Sequence, residues 1–189
     1  MSTLSIKELS HPAGEVIKIA SGKTLDLKSQ GSTTLPTGSV LQVKNVKDGG
    51  VKTTTSQFYN NDNIPAITHG ATAFTLAITP TSATSKLLIT AHFGAISSGN
   101  TNRNGVLALF KQGTSTALAA AYAGFVGEAT PMQSVYVEHY LTAGTTSEIV
   151  FEVRFGTTGS GTTTINGQSG NRMFGGTMSS GITIQEIAA

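Results

Sequence analysis

From residue 39 onward, apolar positions alternate with polar or small ones in runs long enough for half-buried strands. Phe74, Leu76 and Ile78 interleave with Thr75, Ala77 and Thr79. Leu87, Ile89, Ala91, Phe93 and Ala95 stay in phase along one long segment. Val106, Ala108 and Phe110 form another, and Ile149, Phe151, Val153 and Phe155 form the strongest. Val135, Val137 and Leu141 alternate with Tyr136 and Tyr140, so that segment is apolar on both faces. Residues 39–46, 162–165 and 180–187 add shorter strands. Gly-, Asn- and Pro-rich stretches separate them, and Asp48-Gly49-Gly50 predicts a hairpin joining 39–46 to 51–59. The Ala-rich run 116–126 is the one place where a helix competes with a tightly packed strand. About eight to ten strands with no alternating helices predict an all-β fold, an antiparallel jelly-roll sandwich.

The first 38 residues read differently. Their apolar positions come in isolated pairs, Leu4/Ile6, Ile17/Ile19 and Leu25/Leu27. Two side chains on one face cannot hold a strand in water. Residues 1–38 are therefore expected to form an extended anchor or shaft that is stable only when docked, and residues 39–189 the sandwich. Seven of the nine lysines lie within residues 1–52, which sets this part apart in composition. The segments 87–96 and 135–141 carry apolar or aromatic residues on both faces. One face fills the monomer core, and the other needs a partner subunit. His92, Tyr136 and Tyr140 are the candidate interface residues, because a tyrosine buries area and keeps a hydroxyl for hydrogen bonding.

Composition narrows the function. Charged residues make up 12% of the chain, about half the usual share. Ser, Thr and 22 Gly fill the difference. A net charge of +2 is too small a footprint for a nucleic-acid partner. With no Cys there is no disulfide framework or thiolate metal site. No apolar run reaches about 18 residues, so membrane insertion is not expected. The opening residues lack the apolar stretch of a signal peptide, so synthesis in a cytoplasm is expected.

Catalytic chemistry is hard to find. His11, His69, His92 and His139 show no metal-ligand spacing, and structural roles are expected for each. Glu138 and His139 are strand neighbours and so point to opposite faces. Glu152 and Arg154 share a face and read as a surface or interface charge pair. Asn60-Asn61-Asp62-Asn63 offers one carboxylate, which suits a loop better than a calcium site. No nucleophile elbow or phosphate loop is present. The reading is non-enzymatic, with no cofactor, no metal and no catalytic residue. Two polar loops stand out, Asn100, Asn102, Arg103 and Asn104 in one, and Gln168, Asn171 and Arg172 in the other. Each sets a lone Arg among amides, a pattern suited to carboxylates, phosphates and hydroxyls of a cell-surface polysaccharide.

The stretch Ala13-Gly-Glu-Val-Ile-Lys-Ile-Ala-Ser-Gly-Lys-Thr-Leu-Asp-Leu27, then Leu35-Pro-Thr-Gly-Ser-Val-Leu-Gln-Val43, resembles the anchor-to-knob transition of small fibre and knob proteins of marine tailed bacteriophages, of the cyanophage and pelagiphage type. The ending Ser179-Ser-Gly-Ile-Thr-Ile-Gln-Glu-Ile-Ala188 is similar to their closing strand. The resemblance implies a virion component whose N-terminal part docks on other virion proteins. It implies a C-terminal jelly-roll knob of the tumour-necrosis-factor-like kind, usually a homotrimer, that touches the host surface. The expected function is host-cell attachment. The alternative is a virion structural protein without a receptor role, such as a capsid decoration, a head fibre or a tail adaptor. An enzyme acting on glycans is the least favoured class.

Overall fold

The computed structural model describes residues 21–22, 35–100, 102–124 and 131–189. Leu4, Ile6, Ile17, Ile19, Leu25 and Leu27, expected to anchor the chain, lie outside the described residues. One compact unit runs from Leu35 to Ala189. Its period-two runs become β1 (Val40–Asp48), β2 (Lys52–Thr54), β3 (Ala71–Ile78), β4 (Lys86–Ser98), β5 (Asn104–Lys111) and β6 (Ala119–Gly124). They continue as β7 (Met132–Thr142), β8 (Ile149–Thr157), β9 (Thr163–Ile165), β10 (Gly167–Gln168), β11 (Asn171–Arg172) and β12 (Ser180–Ile187). A 3-10 turn at Phe174–Gly176 is the one helical element among the described residues. The Ala-rich run is strand β6 up to Gly124. Ala119, Ala121 and Ala123 pack into the core, which a strand permits for small residues at every second position.

Pairing is nested. β1 pairs with β12, β3 with β8, β4 with β7 and β5 with β6, each antiparallel. That is a ribbon rolled on itself, the connectivity of a jelly roll. The β12–β4 and β8–β5 ladders join the pairs into two sheets, β1-β12-β4-β7 and β3-β8-β5-β6. β9 and β2 extend the first sheet beyond the end of β4. The core lies between the sheets. Leu87, Ile89 and Phe93 of β4 and Ile182 and Ile184 of β12 are buried with Leu107 and Leu109 of β5 and Phe151, Val153 and Phe155 of β8. The rings of Phe93 and Phe155 meet edge to face, centroids 6.1 Å apart.

The hairpin expected at Asp48-Gly49-Gly50 does not form. β1 pairs with β12 instead, and β2 pairs with β9. The corner is held by buried Asn166, whose backbone adopts the left-handed conformation at φ 60°. Its Nδ2 donates to the carbonyls of Asp48 and Gly50, both at 2.9 Å. Ser180 Oγ donates to its Oδ1 at 2.5 Å. The Asp48 carboxylate accepts from the Gly50 N–H at 2.7 Å. Bonds to a side chain far along the sequence thus direct the corner away from a local turn.

A buried carboxylate closes the other end of β12. Glu186 is fully buried and points toward the core side of the sheet. It accepts from Gln42 Nε2 at 2.6 Å, from the Thr81 N–H at 2.7 Å and from Thr81 Oγ1 at 2.8 Å. Burial pushes its carboxyl up, but the donors of Gln42 and Thr81 outweigh it, so the group sits below the ordinary carboxylate range. Three separate segments of chain meet on this one group.

In the second sheet β5 is apolar outside as well as inside. Val106, Ala108 and Phe110 project outward from β5 and form a small cluster with Phe58, with Ile67 and Ala117 packed against it. Phe58 and Ile67 come from the β2–β3 loop, residues 55–70, which crosses this face. Arg154 fastens the loop. Its Nε donates to the His69 carbonyl and its Nη2 to the Gly70 carbonyl, each at 2.8 Å. Its Nη1 pairs with Glu152, which is itself buried. Gly70 has φ 65°, and a Cβ there would sit 2.3 Å from the Phe58 ring, so only glycine fits.

Two outcomes follow. Glu186→Gln should cost about 2–3 kcal/mol of stability at neutral pH, because donors built for a charged acceptor lose it. The folded carboxyl titrates below the unfolded one, which lies near about 4.3, so its contribution is complete above that pH and disappears as pH falls through the folded value. The gap between the two proteins in denaturant titrations should therefore close in acid. Arg154→Ala should cost about 3 kcal/mol by leaving Glu152 buried and unpaired. Amide exchange should speed up across residues 57–70 first, while β4 and β12 stay protected.

Candidate functional site

The three candidate interface residues come together. Register places Gly181, His92 and Tyr136 side by side on β12, β4 and β7, and Gln185, Leu88 and Tyr140 in a parallel row. Between these rows stands Thr183, Thr90 and Glu138. Leu87, Ile89, Ala91, Val135 and Val137 fill the alternate positions and are buried, so the two rows face outward. Tyr136 is 53% exposed and Tyr140 55%. Tyr136 donates its hydroxyl to Glu138 at 2.8 Å, and that bond holds the phenol above its ordinary range. The result is an outer sheet face with an aliphatic and aromatic centre, with Glu138 bonded to Tyr136 on it and Lys47 of β1 and Lys86 of β4 at its margins. β1 adds Val43, 55% exposed, at the Gln185 row.

The polar loops are tied down more than the sequence indicates. Asn100 Nδ2 donates to the Ser160 carbonyl at 2.7 Å. Arg103 is half-buried and lies so close along Gly159 that a Cβ there would meet its guanidinium carbon at 2.7 Å. Asn104 begins β5, and its backbone exchanges bonds with Thr158. Asn102 is exposed with φ 57°, as suits a turn residue. This loop is thus stitched to residues 158–160. The second loop is the β10–β11 hairpin. Gln168 is half-buried and pairs with Asn171, while Asn171 and Arg172 are exposed. Asn171 Nδ2 bonds the Ser169 carbonyl at 3.2 Å, and Arg172 runs beside Gly176. Arg172 is the more accessible of the two arginines.

Other sequence features take structural places. Glu152 and Arg154 do pair on one face, as their spacing indicates, and they act as the fastener of the β2–β3 loop. His69 accepts the Ala66 N–H on Nδ1 at 3.2 Å within that loop. His139 is half-buried opposite Ile89, and Glu138 faces the other way. Asn61 caps the Asn63 N–H at 3.1 Å, an ordinary turn bond. Among the described residues no group of three His, Asp or Glu side chains could hold a metal ion. No helix among them is long and apolar enough to cross a membrane. Two tyrosines that the sequence pattern does not single out, Tyr59 and Tyr122, are the most exposed of the four at 70% and 69%. Neither lies in a clear period-two run, so the one signal for them is that tyrosine is scarce in this chain.

No curated protein matches the sequence. By fold the chain is similar to Eiger TNF from S. frugiperda, at 10% identity and TM-score 0.42, over 77% of this chain and 93% of that one. It is similar to the infectious bursal disease virus VP2 subviral particle at 10% identity and TM-score 0.38, over 88% of this chain and 42% of that one. It is also similar to the CBM22-1 xylan-binding domain of Paenibacillus barcinonensis Xyn10C, at 13% identity and TM-score 0.36, over 82% and 99%. At such identities the likeness concerns the fold. The sequence itself is more informative: residues 43–189 match the family model of the Pgp3 C-terminal domain, and the chain belongs to that family.

Proposed function

We propose that the chain is a non-enzymatic, homotrimeric attachment knob of a virus particle. The outer face of the β1-β12-β4-β7 sheet carries this reading. Leu88 and Tyr140, and His92 and Tyr136, stand on it in two rows separated by the Thr90–Glu138 row, and no segment among the described residues covers the two tyrosines. A face of this kind is suited to a second copy of the chain, and a cyclic arrangement satisfies every copy equally. Membership of the Pgp3 C-terminal domain family supports a trimeric structural or binding domain. The likeness of both chain ends to phage fibre proteins supports a virion setting, with residues 1–38 joining other virion proteins. The reading involves no nucleic acid, membrane insertion or cofactor.

Light scattering at micromolar concentration should give about three chains per particle, the oligomer of this reading. The double substitution Tyr136→Glu, Tyr140→Glu should reduce that number while strand content by circular dichroism is unchanged. A monodisperse wild-type monomer would contradict the trimer. Purified protein added to host cells should bind them and compete with particle adsorption. Absence of both effects would leave a structural role in the particle and remove the receptor role.

A further inference from the structure

The cover over the second sheet leaves a cleft. The β2–β3 loop ends its crossing beside β6, and Tyr59 of the loop and Tyr122 of β6 stand on its walls. The cavity measures about 270 Å³. Tyr59 is held in place although it is exposed: the His69 ring stands perpendicular to it with centroids 4.7 Å apart. The loop beneath is anchored by Phe58 and by the bonds from Arg154. Tyr122 projects from a paired strand opposite Val106, which is buried. The Tyr59 ring is thus held by His69, and the backbone that carries Tyr122 is fixed by its strand, before any ligand arrives.

The chemistry of the lining is selective. Asn60, Asn61, Asn63, Asn104 and Thr158 complete it, and among the described residues no charged side chain lines it. Nothing there would compensate a phosphate or carboxylate taken out of water. Tyrosine faces accept an apolar C–H surface while their hydroxyls keep a polar contact. Asn supplies both donor and acceptor, which is what a ring bearing neighbouring hydroxyls requires. A second, shallower cleft of about 220 Å³, lined by Ile64 and Ala117, shares Pro65 and Ala120 with the first. The two clefts adjoin at these residues and follow one another along β6.

We infer that this groove binds a neutral saccharide chain, with one sugar ring stacked between Tyr59 and Tyr122 and held by the Asn amides. Asn104 is the member of the polar loops that takes part, and Arg103 and Arg172 do not. The site names a ligand class for the attachment reading and rests on that reading only for its biological use.

The test uses the full-length protein on an array of neutral gluco-, manno-, xylo- and galacto-oligosaccharides, with sialylated and uronic-acid oligosaccharides beside them. At least one neutral series should bind, and the acidic ones should show no preference. Tyr59→Ala and Tyr122→Ala should each weaken binding about tenfold or more, the loss of one stacking aromatic. Tyr59→Phe and Tyr122→Phe should keep most of it. Should an alanine variant lose its thermal transition, side-chain amide shifts of Asn61, Asn63 and Asn104 in the wild-type protein titrated with the array's best binder supply the readout. Silence of the whole neutral array, preference for acidic chains, or alanine variants that bind like wild type would overturn the site. So would a changed number of chains per particle in Tyr122→Ala, which would make the groove a subunit contact. Saccharide binding without adsorption to cells would leave the site standing and remove the attachment reading.

Discussion

The structure turns on strands that are apolar on both faces. A sandwich covers each strand once, from the opposite sheet, and leaves the other side to water. β5 and β8 break this rule, since both their faces are buried or nearly so. β4 and β7 break it too, with Leu88, His92, Tyr136 and Tyr140 on the outside. The two violations are resolved differently. Over β5 and β8 the chain supplies its own cover, the β2–β3 loop, and fastens it with the half-buried guanidinium of Arg154. Over β4 and β7 the chain supplies none among the described residues. The same excess of apolar surface thus produces a closed loop-covered face on one side and an open aromatic face on the other.

Much of this was legible in the sequence. Period-two runs located β3, β4, β5, β7, β8 and β12, because each buries a full stripe against the core. Equally legible was the second apolar face of residues 87–96 and 135–141, which brought His92, Tyr136 and Tyr140 together in advance. The cover over β5 could not be read. Phe58 and Ile67 sit in a stretch without periodicity, and the group that fastens their loop is Arg154, eighty-five positions beyond His69 in the chain. The hairpin at Asp48-Gly49-Gly50 failed for a related reason. A turn signal reports local preference, and Asn166, which redirects the corner, lies more than a hundred residues away.

Polar residues inside the fold carry the same lesson about function. Asn166 and Glu186 are buried, fully engaged groups that join distant segments, and neither belongs to a site. The lone arginines among amides suggest receptor contacts in the sequence, yet Arg103 lies against the backbone of a neighbouring loop. The tyrosines are the better guide. All four are more than half exposed, two on each outer face. An aromatic left in water on a rigid strand or a fastened loop is available to a partner, and the surroundings of each pair differ. One pair stands on a flat sheet face suited to another subunit, and the other lines a concave, uncharged groove.

Nitration of the four tyrosines in the assembled protein, read by mass spectrometry, tests this division most directly. The account predicts rapid modification of Tyr59 and Tyr122 and protection of Tyr136 and Tyr140, with protection lost when the assembly is dissociated. Equal reactivity of all four in the assembled protein, or protection of Tyr59 and Tyr122 alone, would contradict it.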